Sequence, residues 1–156
     1  MGIKRETRGI KMQENFDKIM EFVFIHEGYK SDDPDDAGGK TVWGITERDY
    51  PEEFPALWNM NKNDAQLRAK VLFRRDYWDK VGGDILPTKT DAVVMDTAVN
   101  MGISFANKLK GYDMMTAIIE RIKRYTEIAA VGNNIKFLRG WIRRVIDLYY
   151  FIKLNI

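Results

Sequence analysis

Glu27 and the acidic loop that follows it are the residues whose types and spacing best fit chemistry in this chain. Glu27 lies where an apolar-periodic stretch meets a loop dense in Asp and Gly, within the run Phe16 to Thr46. Phe16, Ile19, Met20, Val23 and Phe24 recur at i, i+3, i+4, i+7 and i+8, one face of a 3.6-residue period. Continuing that stripe leads to Glu27. An acid on an apolar stripe is costly unless it is neutral or paired. Desolvation would raise its pKa, and a carboxyl kept protonated near neutral pH can serve as a general acid. The plainer reading is that the helix ends at Gly28 and Glu27 turns to solvent. Spacing alone does not separate the two.

The loop Tyr29–Thr41 carries Asp32, Asp33, Asp35 and Asp36, with Pro34 and the turn-permitting Gly38 and Gly39. Thr41-Val42-Trp43 and Ile45-Thr46 have strand character around Gly44, which predicts a short hairpin. A second carboxylate and a hydroxyl beside a buried acid are what glycosidic hydrolysis needs. One group protonates the leaving oxygen, while the other holds a water or steadies positive charge on the sugar. A calcium loop counted from Asp33 puts Ala37 fifth and Gly44 twelfth, where a bidentate Glu belongs, so an EF-hand is rejected. A weak incidental calcium site and a simple solvated turn stay open.

Several motifs extend the pattern. His26-Glu27-Gly28-Tyr29, Asp33-Pro34-Asp35-Asp36-x-Gly38-Gly39-x-Thr41 and Trp43-Gly44-Ile45-Thr46 come first. Tyr77-Trp78-Asp79, Asp96-x-Ala98-Val99-Asn100-x-Gly102 and Phe137-Leu138-x-Gly140-Trp141-x-x-Arg144-Val145 follow in order. Together they resemble glycoside hydrolase family 108, the bacterial and phage N-acetylmuramidases once described as secretion activators. The resemblance spans nearly the whole chain after the first dozen residues. It implies a mainly α (α+β), lysozyme-like helical domain with a small β-hairpin beside the active site, acting on peptidoglycan without a cofactor or metal. It also implies Glu27 as the catalytic acid. The second Gly of the family's Glu-Gly-Gly-Tyr is absent here, and the family's later Asp-Gly…Gly-Pro-x-Thr segment is shortened or lost.

A looser similarity to phage-type lysozymes, with Glu, Asp and Thr at fixed spacing across a helix-to-hairpin junction, points to Asp36 and Thr41 as the water-positioning pair. Asp33 and Asp35 are substitutes for Asp36. Tyr29, Asp33, Asp35, Trp43, Tyr77, Trp78, Asp96 and Asn100 are the candidate substrate contacts. Aromatics at a helix end and polar groups four apart on one helix are also what a core and its loop anchors contain. For Asp96 and Asn100, anchoring a neighbouring loop is the first reading.

The elements that must position these residues follow. Asn15 is a candidate cap for the first helix, with Asp17 in its first turn. Asn63 or Asp64 is a candidate cap for a helix over about 65–78, with a stripe at Leu67, Val71, Leu72 and Arg75. A helix over about 89–101 buries Ala92, Met95, Asp96 and Val99, with Ile103 beyond. A further helix carries Met114, Ile118, Ile119 and Ile122 on one side and Glu120, Arg121, Lys123 and Arg124 on the other. The last, over about 136–153, is amphipathic and basic. Its apolar face is expected to pack inward with solvated arginines, the alternative being a membrane surface.

At 156 residues the chain is read as one domain, 14–156, preceded by a flexible basic terminus, 1–13. Residues 103–156 resemble a shortened form of the family's peptidoglycan-binding region. A net charge of +2 is too small to argue for nucleic acid, and no run approaches the length of a membrane span. Zero cysteines exclude disulfides and thiolate metal sites, and a single histidine excludes multi-histidine zinc sites. The expected site of synthesis is the bacterial cytoplasm, without a signal peptide. Action on the wall would then need release through a holin or a secretion system. The rival readings are a lytic transglycosylase and a catalytically inactive wall-binding or secretion-accessory module.

Overall fold

A computed structural model describes residues 2–34 and 39–156, with side chains from residue 14 onward. It is mainly helical. Helix α1 (Gly2–Glu27) leads into three two-residue strands, β1 (Lys30–Ser31), β2 (Thr41–Val42) and β3 (Ile45–Thr46), paired antiparallel in the order β1-β2-β3. Then come α2 (Phe54–Asn59), α3 (Lys62–Phe73), a π-helical turn (Arg74–Trp78), α4 (Asp79–Val81) and a 3-10 turn (Gly83–Ile85). Helices α5 (Thr90–Met101), α6 (Ile103–Lys108) and α7 (Met114–Ala129), a 3-10 turn (Asn134–Phe137) and α8 (Leu138–Asn155) complete the chain.

The predicted stripe of α1 is core: Phe16, Ile19, Met20, Val23 and Phe24 are all buried. Asn15 is not the cap. The helix already runs from Gly2, through the segment whose composition favours a frayed terminus, and Asn15 lies within it. Its side chain donates to the Asp91 carboxylate at 3.0 Å, tying α1 to the start of α5. Asp17 likewise meets Lys70 of α3 at 2.6 Å instead of a helix end. The helix stops at Gly28, which takes a φ of +75°, open to glycine at little cost, and donates its N–H to the Phe24 carbonyl.

Helix α5 is the hub. Every residue from Thr90 to Ala98 is buried, as a helix covered on all sides requires, and α1, α6 and α7 pack around it. Helix α3 is rotated from the expected stripe. Asn61 caps it by accepting from the Asp64 N–H, and Ala65, Ala69, Leu72 and Phe73 face inward, while Leu67 and Val71 stand exposed. Two alanines let α3 lie close to its neighbours, a packing that a count of large apolar residues overlooks.

The predicted hairpin is present. Val42 pairs with Ile45 across the two-residue turn Trp43-Gly44, and both turn residues have positive φ, the pattern of a type I′ connection. Helices α7 and α8 close the far side. Their buried residues include Arg121, expected opposite the apolar stripe of its helix, and Arg144, expected among solvated arginines.

Candidate active site

Glu27 is the last residue of α1, with its side chain 24% exposed. It is neither fully desolvated nor turned to solvent but paired: Arg144 Nη1 donates to Glu27 Oε1 at 2.7 Å. The guanidinium is fixed from behind. Its Nη2 donates to Asp96 Oδ1 at 2.7 Å and its Nε reaches both Asp96 oxygens. Arg121 Nη1 donates to Asp96 Oδ2 at 2.7 Å, and two other Arg121 nitrogens donate to the Tyr125 hydroxyl. That hydroxyl donates in turn to Asn100 Oδ1, and the Tyr125 ring stacks on Trp141 at 5.1 Å. One chain of charge-assisted bonds therefore runs from the centre of the helical body to Glu27.

Asp96 and Arg121 are wholly buried, so the electrostatics there are strong. Burial alone would push the Asp96 carboxyl up. The guanidiniums of Arg121 and Arg144 outweigh it and hold the group at about 2. Burial opposes the charge on Arg144 too, but Asp96 and Glu27 overcome it and raise its pKa. Asp96 and Asn100 thus lie behind the acid as its support. A saccharide has no access to Asp96.

The hairpin presses on Glu27 from the other side. A Cβ added at Gly44 would lie 2.8 Å from Glu27 Cγ and 3.2 Å from the Phe73 ring, so only glycine fits this close approach. Trp43 holds a φ of +50°, unusual for a bulky residue. Its indole donates to the Lys62 carbonyl at 3.1 Å, and its ring packs against Phe24 and Tyr29. Tyr29 and Trp43 share a groove of about 700 Å³ with Met20, Phe24, Gly28 and Lys62. Thr41 is half-buried in β2, paired with Ser31 and Thr46. Asp33 is exposed at the start of the acidic loop. Asp35 and Asp36, including the first candidate for the second carboxylate, lie outside the described residues. Among the described residues no cluster of three acids or histidines gathers as a metal ligand set.

The two aromatics after α3 have different fates. Trp78 is core: it is 1% exposed, its indole donates to Asp84, and it meets Phe16 edge-on, so no sugar reaches its face. The π-helical turn adds a residue to the helix and directs Tyr77 elsewhere. Tyr77 lines a cleft of about 650 Å³ between the segment after β3 and the α5–α6 junction, with Asp49, Tyr50, Asp76, Val99 and Gly102. Burial pushes its phenol up, and the charges of Asp49, Asp76 and Glu27 add to that. Tyr50 donates to Asp76 at 3.0 Å, while Arg48 holds the Asp49 carboxyl below its usual range.

Sequence reasoning missed Arg121 and Tyr125 as parts of the site's support, and Asp49, Tyr50 and Asp76 as cleft residues. For Arg121 a signal was present. An aspartate inside the otherwise apolar run of α5 demands buried cations, and Arg121 and Arg144 are cations on helices that pack nearby.

A family model described as Glycosyl hydrolase 108 matches residues 20–102, from the second half of α1 to the end of α5. Glu27, the hairpin and Asp96 fall inside that segment, while Arg121 and Arg144 lie beyond it. Among solved structures the chain is similar to SagA of Brucella abortus, with 25% identity and a TM-score of 0.67. The match covers 89% of this chain and 94% of that one. No curated protein matches.

Proposed function

Because the chain belongs to glycosyl hydrolase family 108, we propose that it is a peptidoglycan hydrolase. In this reading it is an N-acetylmuramidase that cleaves the β-1,4 bond between N-acetylmuramic acid and N-acetylglucosamine. The observation that carries the reading is Glu27 itself, held between the Gly44 backbone and the Arg144 guanidinium at the mouth of the hairpin. Arg144 occupies Oε1, so Oε2 is the oxygen left to exchange a proton with the glycosidic oxygen. Fixing one carboxylate oxygen lowers the cost of orienting the other.

The second carboxylate is an Asp of the 33–36 loop, Asp36 first, with Thr41 as the hydroxyl that positions water. Asp49 is a second candidate on a specific observation: it lines the cleft with Tyr77, whose phenol feels both Asp49 and Glu27. Comparing Asp36→Asn with Asp49→Asn decides between them, since the true partner loses far more activity.

Turbidity loss of purified peptidoglycan, with mass spectrometry of the products, tests the reading. Glu27→Gln keeps the shape and an acceptor for Arg144 but cannot transfer a proton, so activity should fall about 10²–10⁴-fold. Reducing muramic ends from wild type mark a muramidase, and anhydromuramic ends mark a transglycosylase. Wall binding without products, equal in wild type and Glu27→Gln, would leave only the binding module. Synthesis in the bacterial cytoplasm and passage to the wall through a holin or a secretion system complete the proposal. It predicts lysis on co-expression with a holin and none without.

A further inference from the structure

The packing of α8 leaves one face without a partner among the described residues. Arg144, Val145, Leu148 and Ile152 point inward and are buried. On the outer side, Ile146 is 45% exposed, Tyr150 59% and Leu154 81%, continuing from Ile135 at 60% and Phe137 at 48% in the preceding 3-10 turn. Within α8, Ile142, Ile146, Tyr150 and Leu154 are spaced by fours, which makes a slowly turning stripe along the helix, and Ile135 precedes them in the 3-10 turn. At its N-terminal end this side forms a groove of about 660 Å³, lined by Ile135, Leu138, Arg139, Ile142, Arg143 and Ile146. Single exposed apolar residues need no explanation, but a contiguous row of them marks an interaction surface.

Charge identifies what the surface meets. Residues 133–156 contain Lys136, Arg139, Arg143, Arg144 and Lys153 against one acid, Asp147, a net +4 in a chain whose total is +2. Arg144 is spent inside on Asp96 and Glu27. Arg139, Arg143 and Lys153 are exposed beside the apolar row, and Lys136 sits over the Phe137 ring at 4.9 Å. Asp147 meets Arg143 at 3.6 Å, an exposed and weak pairing. A glycan strand offers little to four aliphatic side chains in a row. A twofold dimer through this face would bring the arginines of both copies together with few acids to match them.

We propose that the outer face of α8 and its preceding turn docks on an anionic lipid surface, the apolar row entering the acyl boundary and Arg139, Arg143 and Lys153 reaching the headgroup phosphates. The helix would lie on the membrane, not cross it. No described helix is long and apolar enough to span one. The proposal is independent of the glycosidase reading.

Flotation of the full chain with vesicles tests it, using phosphatidylethanolamine with one quarter phosphatidylglycerol against pure phosphatidylcholine. Binding should favour the anionic vesicles at least tenfold and weaken in 0.5 M salt. Removing two charges with Arg139→Gln/Arg143→Gln should lower it about 30-fold. Ile146→Asp/Leu154→Asp should abolish it with an unchanged melting temperature, because both side chains are already exposed. Equal binding to both vesicle types, or anionic binding that survives Ile146→Asp/Leu154→Asp, would overturn the proposal. So would a concentration-dependent dimer that the same pair of substitutions dissolves, without vesicle binding, which would assign the face to a second copy.

Discussion

Glu27 stands between two regions built in opposite ways. Behind it, Asp96, Arg121 and Arg144 form a buried network whose two cations are balanced by Asp96 and by Glu27 itself, and each charge has at least two partners or one close ion pair. In front of it, the sheet consists of three two-residue strands, and the acidic loop opens from an exposed edge at Ser31–Pro34. The rear region spends desolvation energy to fix one oxygen of one carboxylate. The front leaves Ser31–Pro34 exposed on the side where the proposed glycan strand would enter. The proposed reaction on a long glycan would use both, since the group that reacts must hold still while the strand passes.

The largest loss is expected at Asp96. Asp96→Ala removes the carboxylate on which two buried guanidiniums converge, and stability should fall by about 3–5 kcal/mol in urea unfolding. A loss under about 1 kcal/mol would mean that solvent relieves the cations and that the rear region is not over-determined. Gly44→Ala is expected to cost roughly 2–3 kcal/mol, because a positive φ and a 2.8 Å approach to Glu27 Cγ act together. Activity should fall more than stability alone explains, as the new methyl group displaces Glu27 from Arg144. A melting temperature that drops while the remaining folded fraction keeps its specific activity would refute that coupling.

How much of this was legible beforehand follows from where the controlling signals lie. The α1 stripe, the Gly28 stop and the Trp43-Gly44 turn are local, and local periodicity and turn chemistry specify them. The local pattern puts Arg121 and Arg144 on the polar sides of amphipathic helices, where a charged residue usually meets solvent. Their burial is decided by Asp96, 25 and 48 positions away. The rotation of α3 has the same origin. Leu67 and Val71 outweigh Ala65 and Ala69 in any local count, and only the close approach of a neighbour shows that the small side faces inward. Trp78 and Tyr77 are adjacent aromatics in the sequence, yet within the π-helical turn the first is buried in the core and the second lines the cleft.

Proton linkage gives the rear region a smaller, pH-dependent effect. The folded-state pKa of Asp96 lies at about 2, below the usual 3.8, so its contribution is fully present above about pH 4. It is lost as pH falls through 2. The stability gap between wild type and Asp96→Asn should therefore be constant from pH 7 to about 4 and narrow by roughly 2 kcal/mol on the way to pH 2. A gap that keeps its size down to pH 2 would show that Asp96 is not held ionised by its arginines.

The smallest effect on stability belongs to the front. Asp33 is exposed at the loop edge, and Asp33→Asn should change unfolding free energy by no more than about 0.5 kcal/mol. Its informative readout is activity. If Asp36 is the dedicated second carboxylate, Asp33→Asn should act as a mild substrate-contact change with kcat nearly intact, while Asp36→Asn lowers kcat; the reverse pattern assigns the role to Asp33. If the loop acts only through its summed negative charge, the two substitutions should lower kcat alike and added salt should reproduce the loss. In that second case the hairpin side would contribute a field rather than a catalytic group. The contrast with the rear would then be complete: one region works through fixed contacts, the other through charge alone.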